Sequence, residues 1–366
     1  MIVALALLIW LYLFCLHGQF WNSGPELLPA VPLNFPDVDI IIPARDEAET
    51  IGPVIASLVN QDYAGNFRVI LVDDNSTDGT AEKAGTHPRL TILTGKPKAQ
   101  GWSGKLWALS QGVAASTAPI LLFADADITH DPRHLSTLVS RLEAPRVEMV
   151  SEMVRLNCES WPEKFLIPAF IYFFQMLYPF ARVNDPLSSV AAAAGGTVLI
   201  RREALERIGG LEAIKGALID DVSLARKVKK HGPIYLGHSG LATSIRPYPH
   251  ARDIWNMITR TAFTQLNYSA VVLAVTILGL ALVWLVAPFE VVFGHGWRFF
   301  AGLAAFWLAV VSYFPTLTRY RVPKYFALAL PLIALFYMAA TVASAVNYWR
   351  GTGAQWKSRA YGGDAS

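Results

Sequence analysis

"VDIIIPARDEAETIGPVIASL" (Val38–Leu58) opens as one kind of structure and closes as another. Val38 to Ile42 is a short, mostly β-branched apolar run. Such a run suits a strand buried on both faces, as in a parallel sheet. Pro43 is expected to stop it. From Glu47 onward the apolar residues Ile51, Val54, Ile55 and Leu58 fall at helical spacing. The same switch recurs downstream. "FRVILVDD" leads into "NSTDGTAEKA", "LTILTG" leads into "GKLWALSQGVAAS", and "APILLFADAD" supplies a fourth strand. Alternating strands and helices imply an α/β domain built on a mainly parallel, Rossmann-like sheet. Such sheets bind ligands at the carboxyl ends of their strands.

Polar residues collect at those ends. Arg45, Asp46 and Glu47 follow the first strand, Asp73 and Asp74 end the second, and Asp125 and Asp127 end the fourth. Like charges crowded together repel, so the pattern calls for a cation or cationic groups in the cleft. On an extended strand end, Asp125 and Asp127 would point the same way, with Ala126 opposite. Two carboxylates on one face suit a hard divalent cation, which in turn bridges phosphate oxygens. The competing structural roles are helix capping for Asp125 and an Asx turn before Pro132 for Asp127. "VDDNSTDGT" offers acceptors at Asp73 and Asp74. Gly195-Gly196 in "AAAAGGTVLIRREAL" allows either close approach to a ligand or a tight turn. In "IKGALIDDVSLARK", capping needs one acid, which leaves the other of Asp220-Asp221 for general-base work. G-x-G-x-x-G is absent after the first strand, and so is G-x-x-x-x-G-K-[ST]. An NAD enzyme and a P-loop NTPase are disfavoured.

The chain has 366 residues, of which 53% are hydrophobic and 16% charged. That is too apolar for an ordinary soluble domain. Four stretches approach the roughly 20 residues of a spanning helix: Met1–Phe20, Ser269–Phe289, Phe299–Leu317 and Tyr325–Trp349. The first lacks the basic start of a cleaved signal peptide and reads as a retained anchor. The expected organisation is an anchor at 1–20, an α/β domain at 36–265, spanning helices at 269–349 and a polar tail at 350–366. The stretch 161–183 is aromatic and apolar but carries Glu163 and Lys164. It reads as a pair of interfacial helices, since a crossing there would put Asp127 and Asp221 on opposite sides of the membrane. Arg319, Arg321 and Lys324 make the "TRYRVPK" loop cytoplasmic, and the α/β region with it. The rule disfavours the external position this gives the tail, so one apolar segment is a candidate for re-entrance. The net charge of +3 is unremarkable, and no nucleic-acid partner is expected. The two cysteines, Cys15 and Cys158, form neither a disulfide framework nor a zinc motif.

The order and spacing of "IIPARDEAETI", "VDDNSTDGT", "GKLWAL", "ADAD", "GGTVLIRREAL" and "IDDVSLARKV" resemble the family-2 glycosyltransferases of GT-A fold. "VRLNCESWPEKFLIPAFIYFFQMLYPFARVNDP", "AAAAGG", "IKGALIDD" and "RTAFTQLNYS" extend the likeness. The chain is similar to the hopene-associated membrane glycosyltransferases of hopanoid-lipid biosynthesis and, more distantly, to ceramide glucosyltransferases.

The resemblance implies an inverting, metal-dependent transfer of one sugar from a UDP-sugar to a membrane lipid hydroxyl. The enzyme would sit in a bacterial inner membrane with its catalytic domain cytoplasmic. Carried over by motif, Pro43, Arg45 and Glu47 line the nucleotide, Asp73 and Asp74 face base and ribose, and Lys105, Gly195 and Gly196 border the donor. Asp125 and Asp127 hold Mg2+ or Mn2+ with the diphosphate. Asp221 is the base and Asp220 its support. Many membrane members carry Q-x-x-R-W; here only Arg260 survives, beside Met257 and Thr261, as a contact for the leaving diphosphate. The missing Gln and Trp favour single transfer over polymer synthesis. A polyprenyl-phosphate or polysaccharide acceptor, and a non-catalytic membrane scaffold, are the alternatives.

Overall fold

In the computed structural model, which describes residues 1–144 and 147–351 with the backbone of 355–356 and 359–360, the chain forms two compact units. Most of the expected tail, Lys357 included, lies outside the described residues. One unit comprises Pro25–Asn157 and Arg182–Arg246; the other comprises Met1–Gly24, Cys158–Ala181 and Pro247–Ala354.

The first unit holds nine strands among the described residues: β1 (Glu26–Leu27), β2 (Val38–Ala44), β3 (Phe67–Asp73), β4 (Leu90–Thr94), β5 (Ile120–Ala124), β6 (Ile128–His130), β7 (Met149–Arg155), β8 (Thr197–Arg201) and β9 (Ile234–Ser244). Their order is β1-β9-β7-β8-β5-β2-β3-β4, with β6 paired to β9. β2 is buried along its whole length. It runs two residues past the expected end at Ile42, through Pro43 to Ala44, because pairing with β5 ends at Ile41 while pairing with β3 continues to Ala44. A proline is tolerated where the ladder on one side has ended. The pairs β2–β3, β3–β4, β2–β5 and β7–β9 are parallel. β8 runs antiparallel between β5 and β7, which simple strand–helix alternation does not anticipate. Ile40, Ile42, Leu71 and Leu122 from the sheet pack with Val54, Leu58 and Leu138 from the covering helices, all fully buried.

In the second unit, Ala270–Phe293, Trp297–Arg319 and Lys324–Trp349 are long and apolar enough to cross a membrane. The helix Ile2–Cys15 has only 14 residues. At 1.5 Å per residue it reaches about 21 Å, short of a hydrocarbon core of roughly 30 Å. The stretch 161–183 forms the helices Trp161–Leu177 and Phe180–Asn184. Glu163 is a helix cap: Oε2 accepts from the Ser160 and Glu159 N–H groups, and Oε1 accepts from Tyr248 N–H at 2.7 Å. Further along, Tyr172 is fully buried against Trp284 and Tyr313 and hydrogen-bonds Ser312 at 2.6 Å.

The helix Gly104–Ala114 lies on β2 and β3 and carries Lys105. Ser103 caps its start, accepting from Leu106 N–H. Its spacing from the sheet depends on Gly112, where an added Cβ would fall 2.3 Å from Ile41 Cγ2. Alanine would gain about 1 kcal/mol of helix propensity, but overpacking a filled core costs about 1–3 kcal/mol. Gly112→Ala should therefore lower stability in thermal unfolding, and a raised melting temperature would contradict this packing.

Candidate active site

Acids at the carboxyl edge of the sheet gather around one lysine. Lys105 Nζ lies 2.8 Å from Asp125 Oδ1, 3.6 Å from Asp220 Oδ2 and 3.5 Å from the Gly195 carbonyl. Burial alone would strip its proton, but Asp125 and Asp220 hold it charged. Asp125 follows β5 directly, and its N–H donates to the Gly196 carbonyl at 3.1 Å. Burial pushes the Asp125 carboxyl up, against the pull of Lys105. Residues 126–127 form a turn, so the pair does not sit on an extended strand as expected, and each carboxylate takes its own cation. The two stay close enough for Asp127 to raise Asp125.

Asp220 and Asp221 open the helix Asp220–Lys229. Burial and the neighbouring Asp220 charge push the Asp221 carboxyl up to about 7. The Val222 and Gly195 N–H groups and Lys105 pull it part of the way back. Gly195 fits here for lack of a side chain, since a Cβ would stand 3.1 Å from Asp221 Oδ2. Gly196 is constrained from another side, with Ile128 Cδ1 2.5 Å from where its Cβ would lie.

At the neighbouring strand ends, Asp73 and Asp74 are buried. Asp73 Oδ1 has no hydrogen-bond partner among the described residues. A buried acceptor left unpaired costs about 1–3 kcal/mol, which suits a ligand that brings a donor. Arg45 Nη1 donates to the Asp74 carbonyl at 2.6 Å. Asp46, at φ 50°, ties this loop to the next: its N–H donates to Ser76 Oγ, and its Oδ1 accepts from Thr77 N–H at 2.9 Å. Glu47 takes both its oxygens to Arg246 Nη2 at 2.7 and 2.9 Å, while Arg246 Nε donates to Asp127 Oδ2 at 2.6 Å.

An open cleft is bordered by Pro43, Lys105, Asp125, Gly195, Asp220 and Asp221, over an apolar floor that includes Phe123 and Leu224. Asp73, Asp74, Arg45, Glu47, Asp127 and Gly196 occupy the strand ends and turns of the same unit without lining that cleft. Arg260 is exposed on the helix Ala251–Gln265 in the other unit. Sequence reasoning missed Arg246, which joins Glu47 to Asp127. Its one signal was position, two residues past the end of β9 in "SIRPYP".

The family model described as Glycosyl transferase family 2 matches residues 39–209. A beta-monoglucosyldiacylglycerol synthase from Nostoc sp. is 28% identical over 196 residues, covering 52% of this chain and 41% of that protein. An N-acetylglucosaminyltransferase from Bradyrhizobium elkanii is 31% identical over 142 residues, covering 35% of this chain and 73% of that protein. A mannosyltransferase from Pyrobaculum calidifontis, solved in complex with GDP-Man and Mn2+, matches with a TM-score of 0.56 at 22% identity, covering 94% of this chain and 99% of that one. This last likeness is one of fold. The chain spans less than half the length of several curated relatives, such as the Nostoc synthase at 41%.

A base must be deprotonated to work, so any turnover that depends on Asp221 should rise with pH through about 7. The sign for folding is opposite. A carboxyl whose folded value is raised from 3.8 to about 7 favours the fold below pH 4 and loses that contribution as pH rises to 7. Asp221→Asn should thus raise the melting temperature at pH 8 and leave it nearly unchanged at pH 4. Equal effects at both pH values would contradict the assignment.

Proposed function

Because the chain belongs to glycosyl transferase family 2, we propose that it transfers a single sugar from a UDP-sugar to the hydroxyl of a membrane lipid. The anomeric carbon is inverted, and Mg2+ or Mn2+ assists at the diphosphate. The observation that carries this reading is the division of labour in the cleft. Lys105 is held charged, while the Asp221 carboxyl is pushed up to about 7. A cation fit to meet a diphosphate thus stands beside a carboxyl tuned to take a proton at neutral pH.

Asp125 and Asp127 offer the hard oxygen donors that such metals prefer. Among the described residues, no three His, Cys, Asp or Glu side chains are grouped so that they alone could hold a metal ion. A cation held by Asp125 and Asp127 would draw its remaining ligands from the donor's phosphates and water. Bound there, it would neutralise charge developing on the leaving diphosphate. Asp73, with an unpaired buried oxygen, and Asp74 would receive base and ribose. Pro43, Arg45 and Glu47 would flank the nucleotide, Gly195 and Gly196 would let the sugar approach the backbone, and Asp220 would support the base. Asp221 takes the acceptor proton as the acceptor oxygen displaces the diphosphate.

A lipid acceptor is supported by the apolar helices of the same chain and by relatives such as the beta-monoglucosyldiacylglycerol synthase. A hopanoid or similar polycyclic lipid alcohol is the acceptor the motif order suggests. The basic loop at Arg319, Arg321 and Lys324 supports a bacterial inner membrane with the catalytic unit cytoplasmic.

The test is a donor-by-lipid screen with purified protein in bilayers. Label from a nucleotide sugar should enter a neutral glycolipid. Chelation should abolish the transfer, and Asp221→Asn should lower it by about 100-fold or more. Label on a polyprenyl phosphate or in a polymer would contradict the acceptor, and undiminished transfer after chelation would contradict the metal.

A further inference from the structure

Sugar transfer as described leaves Arg246 without a role. Its Nε lies 2.6 Å from Asp127 Oδ2, and its Nη2 lies 2.7 and 2.9 Å from the two Glu47 oxygens. Lys105 meets Asp125 in the same way at 2.8 Å. Both acids proposed to hold a divalent cation are therefore already neutralised by side chains of the protein itself. A metal seeks carboxylate oxygen at about 2.0–2.6 Å, so Arg246 and a metal compete for Asp127. Lys105 is held by Asp220 and the Gly195 carbonyl as well. Arg246 is anchored on Glu47 and about a third exposed, so it can leave Asp127 without losing all compensation. A guanidinium binds phosphate by the same planar fork it uses on carboxylate.

We infer that Arg246 is a further donor-binding residue. It neutralises Asp127 and Glu47 while the cleft holds no donor, and exchanges Asp127 for the donor's diphosphate when a divalent cation enters. This rests on the reading of the cleft as a nucleotide-sugar site. It couples the two arrivals: a cation alone must displace Arg246 with nothing to receive the guanidinium, whereas a cation arriving with a diphosphate supplies the replacement anion.

The experiment is a Mn2+ titration of the full chain in bilayers, following free Mn2+ by electron paramagnetic resonance with and without UDP. Wild-type protein should bind Mn2+ at least tenfold more tightly when UDP is present. Arg246→Gln should tighten Mn2+ binding without UDP at least tenfold and remove most of the enhancement by UDP. Arg246→Lys keeps the charge but not the fork and should fall between them. Damage to the fold would weaken the site, so a gain in affinity separates the inference from misfolding. Unchanged or weaker Mn2+ binding by Arg246→Gln, with the wild-type enhancement intact, overturns the role of Arg246 and leaves the donor site standing. Failure of the wild-type protein to bind Mn2+ with or without UDP overturns both.

Discussion

One ammonium among three carboxylates sets the terms for the rest of the cleft. Lys105 faces Asp125 at 2.8 Å and Asp220 at 3.6 Å, with Asp221 beside them. In a partly wet site each of these two attractions is worth about 5 kcal/mol. That is of the order of the several kcal/mol it costs to bury an ion, so the lysine stays charged without a net surplus. The charge it can share is limited. Asp125 and Asp220 lie closest to it, and Asp221 is left to burial and to repulsion from Asp220. An acid poised near neutrality follows from the shortage of positive charge around it.

The fold supplies this arrangement through parts distant in sequence. β5 delivers Asp125 to the edge of the sheet, the helix packed over Gly112 delivers Lys105, and the backbone at Gly195 leaves room for Asp221. Arg246 balances the opposite side, closing on Glu47 from β2 and Asp127 from the turn after β5. Asp125, Asp220, Glu47 and Asp127 thus each have a cationic partner from another element. Crowded carboxylates therefore do not push the strand ends apart.

Much of this was legible in the sequence because burial leaves a plain signature. β2, β3 and β5 each carry an apolar stretch (Ile40–Ile42, Val69–Val72 and Ile120–Ala124), and acids that follow such stretches go to the carboxyl edge. Strand direction was not legible at β8, since "TVLIR" reads the same whether its neighbours run parallel or antiparallel. The extended geometry expected for Asp125 and Asp127 gives way to a turn at 126–127, because β5 ends where its pairing with β8 ends. Arg246 was invisible because its partners lie 199 and 119 positions away. The capping role of Glu163 was not legible, since its carboxylate serves three backbone N–H groups that the sequence does not bring together.

If Asp221 serves as the base that takes the acceptor proton, the acceptor displaces the diphosphate in one step. A retaining route would need a second nucleophile placed against the sugar. The direct measurement is the anomeric configuration of the first-formed glycoside, read by proton NMR after reaction from an α-linked nucleotide sugar. The account predicts the β-glycoside; an α-glycoside would contradict it.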